Sequence, residues 1–130
     1  LTITSGVDRA LTGLGSQTAD QVLDDVYQDD SGALNSQYFN RAAFAQPALG
    51  SYGNLNPFSV RGLATWSLDV ALSRIFAIGT HRLEARWEVF NPLNVALAND
   101  PTTALSSPNF GRITTMRDPR IMQFAVKYIF

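Results

Sequence analysis

The clearest period-two pattern in the chain runs through the row Arg82, Glu84, Arg86 and Glu88, in which alternate residues carry alternate signs. Residues two apart on an extended chain share a face, so this row has the form of an ion relay or of paired catalytic carboxylates and cations. It has equally the form of a wet wall, whose charges pair with one another and with Asp69 or Lys127 across neighbouring strands. The wall is the simpler reading, because charges in water need no special purpose. A second charge feature is the acidic group Asp20, Asp24, Asp25, Asp29 and Asp30. Carboxylates on a loop suit calcium, but Asp24-Asp25-Val26-Tyr27-Gln28-Asp29-Asp30 lacks the alternating oxygen ligands and closing Glu of a calcium loop, and a solvated acidic loop is expected. His81, the only histidine, has no second His or any Cys to share a metal, so it reads as a turn residue. Ser5, Ser31 and Ser51 lie near glycines without a Gly-x-Ser-x-Gly elbow. No catalytic, cofactor or metal residue is assigned, and the chain is not read as an enzyme.

The elements that position these residues alternate with period two. Trp66, Leu68, Val70 and Leu72 alternate with Thr65, Ser67, Asp69, Ala71 and Ser73, which predicts a first strand over these positions. Leu83, Ala85, Trp87 and Val89 oppose the charged row and predict a second. Ala77-Ile78-Gly79-Thr80 between them predicts a hairpin turn, with Gly79 free to take a positive φ. Met122, Phe124, Val126, Tyr128 and Phe130 alternate with Ile121, Gln123, Ala125, Lys127 and Ile129, which predicts a last strand running to Phe130. Leu1–Ser5 reads as the tail of a further strand. Gly6 to Leu63, rich in Gly, Ser, Asn, Asp, Gln and Pro, shows no period and reads as one long loop. Asn91 to Pro119, with Asn99-Asp100-Pro101, Ser107-Pro108-Asn109 and Asp118-Pro119, reads as another. The loop aromatics Tyr27, Tyr38, Phe39, Phe44, Tyr52 and Phe58 either stack on a sugar or peptide or form small cores that hold the loop together, and the cores are favoured.

Long loop, strand, tight turn, strand, long loop, strand is the asymmetry of outer-membrane barrels, whose extracellular loops are long and periplasmic turns short. A soluble β-sandwich offers the same alternation, with the apolar faces packed on a second sheet. Composition does not separate the two: of 130 residues, 45% are hydrophobic, and a barrel strand exposes only every second residue to lipid. The formal net charge of -1, with cations scattered, removes nucleic acid as a partner. The absence of cysteine removes disulfides and thiolate chemistry and is compatible with an oxidising periplasm.

Ordered blocks carry a resemblance. Asn54-Leu55-Asn56-Pro57-Phe58-Ser59-Val60-Arg61-Gly62, Trp66-Ser67-Leu68-Asp69-Val70-Ala71-Leu72-Ser73 and Arg86-Trp87-Glu88-Val89-Phe90-Asn91-Pro92-Leu93-Asn94 are followed by Ser107-Pro108-Asn109-Phe110-Gly111-Arg112-Ile113-Thr114, Asp118-Pro119-Arg120 and Gln123-Phe124-Ala125-Val126-Lys127-Tyr128-Ile129-Phe130. Together with Tyr38-Phe39-Asn40 and Ala42-Ala43-Phe44-Ala45, they resemble the end of TonB-dependent receptors of the Oar-like, carboxypeptidase regulatory-like group. The resemblance implies that residues 1–130 are the C-terminal antiparallel strands of a large transmembrane outer-membrane β-barrel of about 22 strands. It further implies long extracellular loops, a plug and TonB coupling supplied by other parts of the protein, and energy-coupled uptake of an oligosaccharide, peptide or metal chelate. Asp69, Arg82, Glu84, Arg86, Glu88 and Lys127 are then the lumen-facing charges, and outer-membrane lipid is the partner of the opposite face, with Trp66, Trp87 and Tyr128 as interface aromatics. Met122, Phe124, Val126, Tyr128 and Phe130 resemble the terminal signal read by the barrel assembly machinery. A non-transport structural or adhesion barrel and, behind it, a soluble carbohydrate-binding sandwich are the alternatives. Opening at Leu1 without a Met or an export leader, the chain is expected to be a fragment whose beginning is missing, and such a piece is not expected to close on itself as a monomer.

Overall fold

A computed structural model describes residues 1–130, and its long strands arise where the sequence alternates. In chain order the elements are β1 (Asp20–Gln21), a 3-10 turn (Arg41–Ala43), β2 (Phe44–Ala45), β3 (Asp69–Ile78), β4 (His81–Phe90) and β5 (Ile121–Ile129). The architecture is all-β: β1 pairs with β2, and β3-β4-β5 form a three-stranded sheet, every pairing between strands being antiparallel. The residues divide into a sheet unit, Thr65–Ala96 with Arg117–Phe130, and a loop unit, Leu1–Ala64 with Leu97–Met116.

In the sheet unit the β3–β4 ladder runs without interruption from Asp69↔Phe90 to Ile78↔His81. Only Gly79 and Thr80 are left to turn the chain. Gly79 takes φ +59 while Thr80 is not in the positive-φ region, the pattern of a two-residue type II′ turn, whose twist matches that of the strands. The expected four-residue turn is therefore too long, and the first strand is displaced: Thr65–Leu68 lie outside the ladder, which continues through Arg74 to Ile78. Apolar alternation fails as a guide there because Arg74 stands in the apolar row and Ile75 in the polar one. At the other end, Asn91 adopts φ +51 and stops β4. Its side-chain oxygen accepts from Val95 N (3.0 Å), and its amide donates to Val95 O (3.0 Å) and Asp118 O (3.3 Å). Asn94 Oδ1 accepts from Arg120 N at 3.0 Å, so two asparagines tie the end of β4 to the approach to β5. β5 pairs with β4 from Phe90↔Ile121 to Arg82↔Ile129 and ends there, leaving Phe130 one residue beyond the ladder and 93% exposed.

The loop unit has a core of its own. Ile3, Phe39, Phe110 and Ile113 are almost wholly buried, together with Tyr38, Phe44, Leu55, Val60 and Leu105. Phe39 stacks on Phe110 at 6.3 Å and meets the rings of Tyr38 (4.9 Å) and Phe44 (6.3 Å) edge-on. Burying a ring of this size contributes about 1.5–3 kcal/mol, which makes the cluster the chief source of order in residues that show no periodicity. Leu1–Ser5 is not the end of a ladder strand: Thr4 makes single bridges to Thr18 and Ala104 while Ile3 and Ser5 are buried. Much of the remaining order is polar. Gln17 Nε2 donates to Asp8 Oδ1 (2.7 Å), Thr12 Oγ1 (2.7 Å) and Leu14 O (2.6 Å), and its Oε1 accepts from Arg9 N (3.0 Å). Gly111 has φ +75 where the chain crosses Phe39, and a methyl group there would lie 2.8 Å from Phe39 O.

Candidate functional site

The pairing of β3, β4 and β5 sorts their side chains onto two faces of opposite character. From the hairpin outward, one face carries the rows Ile78–His81, Phe76–Leu83–Tyr128, Arg74–Ala85–Val126, Leu72–Trp87–Phe124 and Val70–Val89–Met122. The other carries Ala77–Arg82–Ile129, Ile75–Glu84–Lys127, Ser73–Arg86–Ala125, Ala71–Glu88–Gln123 and Asp69–Phe90–Ile121. Asp69, Arg82, Glu84, Arg86, Glu88 and Lys127 thus share one face, while Met122, Phe124, Val126 and Tyr128 share the opposite one.

On the polar face the close ion pair runs along β4, not across to a neighbour: Arg86 Nη2 lies 2.7 Å from Glu88 Oε1. Both side chains point the same way two residues apart, so the long guanidinium reaches its neighbour along the strand. Gln123 Nε2 donates to the other oxygen of Glu88. Glu84 and Lys127 are paired in register without closing an ion pair, and with Arg86 they border a hollow of about 270 Å³ over Ala125. Asp69 stands at the outer end of the row, where its Oδ1 accepts from Asn91 N at 3.3 Å. These are water-exposed contacts, each worth about 0–1 kcal/mol. Their significance is that they give this face a polar stripe along β4, flanked by Ile75, Ile121 and Ile129 of the neighbouring strands.

The apolar face is broad and open: Leu72, Phe76, Phe124, Val126 and Tyr128 are all exposed, Phe124 by 79%. Trp87 stacks on Phe124 at 6.0 Å and His81 on Tyr128 at 5.6 Å. The indole Nε1 of Trp87 and the Nδ1 of His81 are covered and have no hydrogen-bond partner. Trp87 sits four rows from the hairpin and Trp66 lies outside the ladder, so of the three expected interface aromatics only Tyr128 stands near the hairpin end of the sheet. Arg74 is the residue that sequence reading missed. It lies past the end of the strand drawn from alternation, yet the observed register puts it in the middle of the apolar face. A cation on a lipid-facing barrel surface costs about 2–4 kcal/mol at the bilayer midplane and about 0–1 near the interfaces.

The loop unit holds a separate cleft of about 500 Å³ lined by Tyr27, Gln28, Asp29, Asp30, Tyr38, Arg61 and Gly62. Arg61 is its fixed point: its backbone N donates to Tyr27 Oη (3.0 Å), and its carbonyl accepts from Tyr38 Oη (3.3 Å). Burial, with smaller contributions from Tyr27, Asp30 and Asp100, holds the Tyr38 phenol above its usual range. Of the two roles weighed for the loop aromatics, the small core is the one the packing shows, and not for all of them. Tyr38, Phe39 and Phe44 form core with Phe110, whereas Tyr52 and Phe58 are 69% and 82% exposed. Phe110 was hidden from sequence reading among turn-forming neighbours.

The acidic group does not converge on one point. Asp20 Oδ1 accepts from Asn54 N (2.8 Å), Asp29 Oδ1 accepts from Ser31 N (2.9 Å), and no three of the chain's acidic and histidine side chains come together as metal ligands. Ser5 and Ser51 donate to Val7 O (2.6 Å) and Ala48 O (2.7 Å), and Ser31 Oγ accepts from Ala33 N (3.3 Å), so all three close turns.

Residues 1–123 match a family model described as an outer membrane beta barrel domain. No curated protein and no solved structure matches the chain.

Proposed function

The chain belongs to the outer membrane β-barrel domain family and is located in the outer membrane, and from that premise we propose that it is a wall segment and loop body of a TonB-dependent transporter. The observation that carries the reading is the sorting of β3–β5 into an exposed apolar face and a charged one. A monomeric protein in water rarely leaves such an apolar surface open, whereas a barrel strand requires lipid on one side and a wet interior on the other. The apolar face of Phe76, Leu83, Phe124 and Val126 therefore meets lipid, and the row Asp69, Arg82, Glu84, Arg86, Glu88 and Lys127 lines the lumen. The Gly79-Thr80 turn is periplasmic and the long connections are extracellular. Three strands cannot close a barrel, and lipid does not tolerate open edges, so the outer edges of β3 and β5 pair with further strands of the assembled wall.

Support for transport, as against a purely structural barrel, comes from the ordered resemblance to Oar-like receptors and from the ordered loop unit. A self-supported body with a cleft of about 500 Å³ is within the range of small-ligand sites, and the transported ligand is an oligosaccharide, peptide or metal chelate. Until its outer edge is paired, the row Met122, Phe124, Val126, Tyr128 and Phe130 presents an apolar strand with a free edge, the form of template that β-augmentation uses, and is engaged by the barrel assembly machinery. The test is site-specific photocrosslinking of the intact protein in its outer membrane to the periplasmic domain of the TonB energy transducer. A crosslink that depends on the proton-motive force is expected. Its absence, in a protein that inserts normally, would turn the reading to a structural or adhesion barrel.

A further inference from the structure

Arg74 has no place in a uniformly greasy wall. It is the one Arg, Lys, Asp or Glu in the apolar rows of β3–β5, and the chain's single ion pair, Arg86–Glu88, is on the other face. Beside it the wall is dented. Ala85 is flanked by Arg74 on one side and Val126 on the other, and the small side chain leaves a hollow of about 230 Å³ walled by Leu72, Phe76, Trp87 and Phe124. The guanidinium leans along the strand, its Cζ 5.2 Å from the centre of the Phe76 ring, and so points toward the hairpin. Arg74 is five residues from Gly79, which at ~3.3 Å per residue and a tilt of ~45° is about 12 Å of depth. A side chain that snorkels in that direction carries its charge toward the headgroup level of the leaflet on the hairpin side.

We propose that Arg74 and the Ala85 hollow form a binding site for an anionic glycerophospholipid, with an acyl chain lying in the hollow and the headgroup phosphate on the guanidinium. The charge of the site selects the occupant. A zwitterionic lipid fills the hollow equally well but brings its own ammonium, while an anionic lipid leaves its phosphate free for a bidentate pair with arginine. Phe76 holds the guanidinium plane from below by cation–π contact, and Trp87 closes the outer side of the hollow. The site rests on the reading that this face meets lipid and that the hairpin is periplasmic, which makes the bound lipid one of the periplasmic leaflet.

The experiment uses the intact protein extracted from the outer membrane and exchanged into equimolar phosphatidylglycerol and phosphatidylethanolamine, with retained lipid counted by native mass spectrometry. Wild type is expected to retain phosphatidylglycerol at least fivefold over phosphatidylethanolamine. Arg74→Gln should bring the ratio near one, Arg74→Lys should keep part of the preference, and Ala85→Leu should reduce retention of both lipids by filling the hollow. Heat-modifiable migration checks that each variant is folded. No preference in wild type, or an unchanged preference in Arg74→Gln, overturns the proposal. The same holds if Arg74→Gln lowers stability without changing lipid selectivity, since Arg74 then pairs with a carboxylate of the adjoining wall. Quenching by brominated acyl chains, taken as the difference between wild type and Trp87→Phe, separates the two levels of the argument. Absence of quenching would sink the lipid-facing assignment itself, whereas quenching without lipid preference would sink only the Arg74 site.

Discussion

Phe124 and Gln123 are neighbours in β5, and the register places them on opposite faces, Phe124 beside Trp87 and Gln123 beside Glu88. The same substitution at the two positions therefore reads out the sidedness of the wall. Phe124→Arg puts a guanidinium on the face assigned to lipid, in a row where the nearest neighbours are Trp87 and Leu72 and no carboxylate is at hand. The depth-dependent cost of arginine on a barrel's outer surface is about 2–4 kcal/mol at the midplane, which is roughly a 30- to 700-fold loss in the folding equilibrium at about 1.4 kcal/mol per tenfold. Gln123→Arg replaces a side chain that already donates to Glu88, so the new cation gains a counterion on a wet face, and the change is expected within about 0.5 kcal/mol of wild type. The assay is urea titration of the intact protein into phospholipid vesicles, with the folded fraction read from migration of unheated samples. Equal costs at the two positions, or a greater cost at Gln123, would refute the two-faced barrel wall and return the sheet to a soluble packing role.

The loop unit and the chain end give further expectations. Phe39→Ala removes a fully buried ring from the core and should cost about 3–5 kcal/mol, seen as roughly a hundredfold or more faster cleavage within Leu1–Ala64 by protease added to intact cells. Gly111→Ala should act the same way through a different cause, since alanine must adopt φ +75 and crowd Phe39 O, at a cost above about 1 kcal/mol. Asp8 is held below its ordinary value of 3.8, first by the hydrogen bond from Gln17 and then by the backbone N–H of Thr12. A depressed carboxyl stabilises the fold fully above the unfolded value and loses that contribution as pH falls through the lower folded one. Protection of the Thr12–Gln17 amides, taken as exchange relative to the intrinsic rate at each pH, should accordingly fall below about pH 4 in wild type, while Asp8→Asn should show the lowered protection already at neutral pH. Phe130→Asp should lower outer-membrane insertion of the intact protein while Asp25→Ala should not, and equal insertion of both would remove the assembly role proposed for Phe130.

The sheet was legible because its strands repeat with period two: the apolar positions of β4 fall beside Phe124, Val126 and Tyr128, and on the other face Glu84 and Glu88 fall beside Lys127 and Gln123 while Arg82 and Arg86 fall beside Ile129 and Ala125. Its boundaries were not. Arg74 and Ile75 invert the pattern for two residues, and a reader of alternation stops at Ser73, whereas the backbone ladder is indifferent to side-chain polarity and runs on until Gly79 turns it. The loop unit was opaque for a different reason. Its core is assembled from residues as distant as Ile3, Phe39 and Phe110, and its turns are fixed by Gln17, Asp8 and Asn40 bonding to local backbone. Neither device leaves a period in the sequence.

The inversion at Arg74 then becomes the informative position. A residue that breaks a local rule while its neighbours obey it is either compensated or functional, and within the chain no ion pair compensates it. Compensation by a bound anion and compensation by a carboxylate from the adjoining wall predict opposite behaviour when the lipid is changed. With an anion, the stability lost in Arg74→Gln should shrink in vesicles of purely zwitterionic lipid, because there every headgroup phosphate is already paired with its own ammonium. With a carboxylate, the loss should be the same in both lipids. Titrating wild type and Arg74→Gln in the two vesicle compositions separates them, and a difference that is independent of lipid would assign Arg74 to the wall rather than to the membrane.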